Sequence, residues 1–180
     1  MDILSKGKVV SEVSKGEILS IELSRAGVYT VEFPLHLGAI LAGKDSKILR
    51  AISAYARPVG LAFEIYDDVL GMFGEEAEIG KIQADLAEGK RTLLIQRALV
   101  SGTDKQRSEL ISLLKQRSPS KKQVRKAREI IVKTDALAYT THLTDKLIEK
   151  AQNALKKIDI PNNIKEKLSA FAEFVINRRK

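Results

Sequence analysis

Cysteine and tryptophan are missing from this 180-residue chain. The first absence excludes a disulfide framework and thiolate metal sites, and makes a reducing, cytoplasmic setting the simplest expectation. Histidine occurs only twice, as His36 and His142, far apart in sequence. His36 lies in an apolar helical stretch and reads as a packed, hydrogen-bonded residue rather than a catalyst. No apolar run reaches the ~20 residues that a membrane span requires, and the leading MDILSKGKVV has no signal-peptide pattern, so stable membrane insertion is not expected. Repeats, low-complexity tracts and linkers are also lacking. The length suits a single domain over residues 1–180, which buries about 70% of its unfolded surface.

Strand signals are scarce. The best candidate, Val28 to Phe33, is short and ends at Pro34, and is better read as the start of a helix. Helical patterning, by contrast, is nearly continuous, so the expected fold class is all-α. Leu35 to Ala42 reads as a short apolar helix closed by Gly43, and Asp45 or Ser46 as the cap of the next. From there Ile48, Ile52, Tyr55, Val59, Ala62, Tyr66, Val69 and Phe73 recur at intervals of three and four, one stripe of a long helix that Pro58 is expected to bend. Thr92 to Val100 and Lys105 to Lys115 read as further helices. Ser118 with Pro119 reads as the start of a long helix whose apolar face runs from Val124 through Ile131, Leu137 and Leu147 to Ile158, ending at Pro161. A last helix, Ile164 to Ile176, should turn Leu168, Phe171 and Val175 inward.

The chemistry concentrates between Phe63 and Thr92, FEIYDDVLGMFGEEAEIGKIQADLAEGKRT. Helical spacing puts Glu64, Asp67 and Asp68 on one face of an otherwise apolar run. Clustered, half-buried carboxylates repel one another and lose hydration unless a cation intervenes, and hard oxygen ligands suit Mg²⁺. Two Gly-Lys steps follow, Gly80-Lys81 and Gly89-Lys90. Taken alone, two adjacent aspartates are an ordinary solvated face or cap, and Lys81 and Lys90 ordinary loop lysines. The surrounding blocks change that balance.

Phe63, Asp67, Asp68, Gly80, Lys81, Asp85, Leu86, Gly89, Lys90 and Thr92 resemble the second aspartate-rich region of the trans-prenyl diphosphate synthases, the geranylgeranyl and farnesyl diphosphate synthase family. Upstream, Tyr29, Thr30, Pro34, Leu35, Leu37, Gly38, Ala39, Leu41, Ala42 and Gly43 resemble the stretch that follows that family's Lys-Thr motif, and REIIVKTDAL near Arg128 resembles its C-terminal helices. The resemblance implies part of an isoprenoid-synthase-type helical bundle around a cavity. It implies Mg²⁺-dependent condensation of an allylic diphosphate with isopentenyl diphosphate. Asp67 and Asp68 would be metal ligands, and Arg25, Glu64, Lys81 and Lys90 would lie at the diphosphate end; Asp67, Asp68 and Lys81 are the candidate catalytic residues.

Three departures qualify this. Arg25 and Ala26 stand where the family usually has Lys and Thr, Glu64 replaces the usual glutamine, and Gly71 occupies the motif's last acidic position. More important, the family's first aspartate motif lies well upstream of the Tyr29 block, and Met1 to Arg25 contains no paired acids. The chain resembles a C-terminal half, so alone it is expected to be inactive: a truncated product, a partner subunit, or a decayed copy. A dimer, or a partner chain supplying the missing half, is expected. The formal charge of +8 favours anionic partners. The basic run Lys115, Arg117, Lys121, Lys122, Arg125, Lys126 and Arg128 supports a rival reading as a helical nucleic-acid-binding module, against which stand the few aromatics and the absence of a recognition motif; nucleic acid is not the expected partner. A third reading is a ligand-free helical scaffold.

Overall fold

The computed structural model describes residues 14–74, 90, 92–116 and 118–177, and among them every regular element is helical. Helix α1 (Lys15–Glu22) runs without a break into a widened segment, Leu23–Glu32, with i to i+5 hydrogen bonding, and on into α2 (Phe33–Leu41). Gly43 closes α2 in the left-handed region, φ 68°, which lets Lys44 N–H reach the Ala39 carbonyl at 3.0 Å. Asp45 starts α3 (Ser46–Phe73), its Oδ1 accepting from the N–H groups of Lys47 and Ile48, each at 3.0 Å. The expected stripe is the buried one: Ile52, Tyr55, Val59, Ala62 and Val69 all lie in the core. The helix continues through Pro58.

Helices α4 (Leu93–Ser101) and α5 (Asp104–Leu114) follow, started by Thr92 and Thr103. Helix α6 (Lys121–Lys133) is capped by Ser120, not by Ser118 with Pro119, because Gln123 three residues on completes a reciprocal capping box with Ser120. The expected long helix is also two: α6 stops at Thr134, Asp135 adopts φ 56°, and α7 (Ala136–Leu155) begins beyond it. A single left-handed residue is enough to redirect the chain. Helix α8 (Asn162–Asn177) buries Val175 and Ala172, whereas Phe171 is 40% exposed rather than inward.

Contacts gather into two compact units, each with its own core. One comprises Ser20–Tyr66 with His142–Arg179 and packs Tyr55, Val59, Ile148, Ala151, Ile158 and Val175 together. Its Tyr55 hydroxyl, pushed above the usual phenol range by burial, donates to the Leu168 carbonyl at 2.6 Å. The other comprises the described residues among 14–19 and 67–141, and its core includes Val69, Leu94, Ile95, Leu110, Val124 and Ile131. No described helix is long and apolar enough to cross a membrane.

A polar cluster marks the end of the widened segment. Buried Glu32 accepts from Arg57 Nε at 2.8 Å, and His36 Nε2 lies 3.8 Å from the same carboxylate, 3.0 Å from Ser53 Oγ and 2.9 Å from the Leu49 carbonyl. His36 is thus packed and hydrogen-bonded, as its apolar setting suggested. Desolvation is the largest single influence on Glu32 and raises its pKa; hydrogen bonds from Arg57 and Ser53 and the charges of Arg57 and His36 together outweigh it, so the net value falls below 4.5. Because the folded state holds this proton less tightly than the unfolded chain, the stabilisation is fully present above the unfolded value and is lost as pH falls through the lowered one. Melting temperature followed from pH 6 to 3 should therefore drop less steeply in Glu32→Gln than in wild type. An identical slope would remove Glu32 from the acid response.

Candidate functional site

Two backbones meet at the widened segment. Gly60 of α3 faces Gly27 so closely that a Cβ built on Gly60 would stand 2.5 Å from the Gly27 Cα and 2.6 Å from the Ala26 carbonyl oxygen. Along the segment the register opens by one residue, so that Phe33 N–H donates to the Val28 carbonyl. Wide turns of this kind recur at functional positions.

This approach brings Arg25 and Glu64 together, and their side chains form an ion pair. The Glu64 side chain is 14% exposed and that of Arg25 is 60% exposed. A guanidinium presents five donors in a planar fork, so one edge engages Glu64 while others face solvent and remain available to phosphate oxygens. Glu64 is therefore neutralised by a cation of its own and is not simply a third negative charge beside Asp67 and Asp68. The described residues contain no group of three or more His, Cys, Asp or Glu side chains placed to hold a metal ion.

Asp67 and Asp68 are half-buried on the same continuous helix, three and four residues beyond Glu64. The end of that helix is fastened by Arg128, whose Nε donates to the Met72 carbonyl at 2.7 Å and Nη2 to the Gly74 carbonyl at 3.0 Å. Its guanidinium also lies 5.9 Å from the centre of the Phe73 ring. A cation at a helix C-terminus meets unsatisfied carbonyls and the negative end of the dipole. Lys90 is exposed, and Lys81, with the rest of residues 75–89, lies outside the described residues. Thr92 accepts from Ile95 N–H at 3.3 Å and so caps α4. Tyr29 is 76% exposed.

Three positioning contacts were not read from the sequence: Arg25 with Glu64, Arg57 with Glu32, and Arg128 with the end of α3. The first had a signal, since Arg25 and Glu64 are both departures from the family pattern and are opposite in charge. The others join residues 25 and 56 positions apart with no local spacing to mark them.

The sequence family described as polyprenyl synthetase matches residues 1–131. This chain belongs to the polyprenyl synthetase family. It is 35% identical over 146 residues to the geranylgeranyl diphosphate synthase of Saccharolobus solfataricus, an alignment covering 80% of this chain and 44% of that protein. It is 28% identical to component 2 of the Bacillus subtilis heptaprenyl diphosphate synthase, across 87% of this chain and 44% of that one. Its fold matches the geranylgeranyl pyrophosphate synthase of Corynebacterium glutamicum, crystallised with isoprenyl diphosphate and magnesium, at a TM-score of 0.84 and 28% identity, covering 92% of this chain and 47% of that one. The chain thus spans about half the length of these family members, and the all-α architecture expected of the family is the one found.

Proposed function

We propose that this chain forms the C-terminal half of a polyprenyl diphosphate synthase of geranylgeranyl type, an enzyme condensing an allylic diphosphate with isopentenyl diphosphate. The observation that carries the reading is the pairing on α3: the adjacent carboxylates Asp67 and Asp68 follow Glu64, whose partner Arg25 keeps much of its guanidinium open to solvent. Hard carboxylate oxygens fit Mg²⁺, and Asp67 and Asp68 would hold it. The ion would supply charge neutralisation for a departing diphosphate. Arg25, Lys81 and Lys90 would add fixed cationic donors to the same leaving group, with Glu64 orienting Arg25. Met1 to Arg25 carries no paired acids that could form a facing wall, and residues 1–180 by themselves are expected to bind without condensing.

Binding can therefore be tested without activity. Adding Mg²⁺ with inorganic pyrophosphate or an isoprenoid diphosphate should raise the melting temperature; at a hundredfold excess over Kd the gain is about 2.7 kcal/mol. Asp67→Asn with Asp68→Asn should remove the rise that depends on Mg²⁺. Glu64→Gln should keep it, because a glutamine oxygen still accepts from Arg25. No shift in the wild type, or one that survives the double aspartate variant, would overturn the reading.

A further inference from the structure

Among the described helices, the most apolar is the least covered. From Phe33 to Ala42 the sequence carries no acidic, Lys or Arg residue, yet α2 contains no buried residue. Tyr29 (76% exposed), Phe33 (60%), Leu37 (48%) and Leu41 (80%) recur every fourth position along one ridge, with Ile40 (56%) beside it. Exposed apolar surface that continues over several turns marks an interface rather than the ordinary scatter of surface leucines.

We infer that this ridge is the docking surface for a helical polypeptide equivalent to the portion of the full-length relatives that this chain does not span. Three observations favour that occupant. The fold matches a synthase almost throughout this chain but covers only 47% of the other, so in that relative a comparable length of chain lies beyond the matched fold. Arg25 stands four residues before Tyr29, so the ridge adjoins the Arg25–Glu64 pair. A second copy of this chain would bring no paired acids from its own Met1 to Arg25, whereas a complementary half can bring the missing acidic wall. The B. subtilis relative is itself named as one component of its synthase.

This inference rests on the synthase reading, and the experiment separates the two. The full chain, tagged, is co-expressed with the upstream portion of the S. solfataricus synthase that ends before its counterpart of Arg25, and the purified material is sized by light scattering. A one-to-one complex is expected. Phe33→Asp with Leu37→Asp should reduce recovered partner at least tenfold, while the variant's own melting temperature stays near wild type because both side chains are already exposed. Tyr29→Ser alone gives a milder second reading of the same surface. Asp67→Asn with Asp68→Asn should leave the complex intact while abolishing the Mg²⁺-dependent shift, so a docking failure and a failure of the metal reading look different. A homodimer that the Phe33 and Leu37 changes disrupt, without any one-to-one complex, would overturn the proposal in favour of a second copy. Absence of any complex, or a complex indifferent to these changes, would overturn it outright.

Discussion

Gly60→Ala is expected to destabilise the chain by about 3 kcal/mol, near the upper end for overpacking. At an unconstrained interior helix position the same change gains up to about 1 kcal/mol through helix propensity. The sign reverses at Gly60 because the added carbon would meet backbone, 2.5 Å from the Gly27 Cα, 2.6 Å from the Ala26 oxygen and 2.9 Å from the Ala26 carbonyl carbon. Backbone in a packed helix cannot rotate away as a side chain can, so the widened segment must move as a whole. That movement draws Arg25 from Glu64, and the Mg²⁺-pyrophosphate response should weaken along with stability. For a protein of this length, the loss corresponds to a fall of about 6–12 °C in melting temperature. Gly38→Ala is the control, since nothing lies within 4 Å of a Cβ there, and it should melt at or slightly above wild type. If Gly60→Ala melts as high as Gly38→Ala, the close helix contact is not a structural determinant.

Arg128→Ala should be of similar size. Its two hydrogen bonds, to the Met72 and Gly74 carbonyls, come from a charged donor, and such bonds contribute about 1.5–3 kcal/mol each net of exchange with water, toward the lower end where the donor is partly exposed. A loss of about 3 kcal/mol is expected, concentrated in the last turn of α3. Hydrogen exchange should show the amides of residues 70–74 losing protection before those of the α6 core. Arg128→Lys should recover only part of the loss, because an ammonium cannot place two donors on two carbonyls in the plane of a fork. Neutralising Lys121 and Lys122, both exposed on the same helix, should leave stability nearly unchanged. Equal effects from Arg128 and the two lysines would mean that Arg128 acts only through general charge.

The basic run from Lys115 to Arg128 shows how sequence reading reaches its limit. As composition it supports a phosphate-binding reading only as a rival, since such runs are more often a solvated helix face. In the fold its members have different tasks: Arg128 fastens α3, and Lys126 lies 3.6 Å from Glu109 and 3.9 Å from Glu129. The α6–α7 break was equally hidden, because the left-handed residue is Asp135 and not a glycine, and the apolar period continues on both sides. Ser118 with Pro119 has the local chemistry of a helix start, but it is Ser120 that Gln123 answers. Period alone turns Phe171 inward, but Ala172 takes the buried position on α8.

The helical class, the stripe of α3, the Asp45 start, the Gly43 stop and the position of Asp67 and Asp68 on a helix were all determined by the sequence itself. Each depends on residues within about one or two helical turns, where backbone geometry leaves few alternatives. The partnerships of Arg25, Arg57 and Arg128, and the exposure of the Tyr29 to Leu41 ridge, were decided only by tertiary structure. Long, flexible, charged side chains choose among partners brought close by packing, and an apolar helix face is buried or bare according to what else is present to cover it.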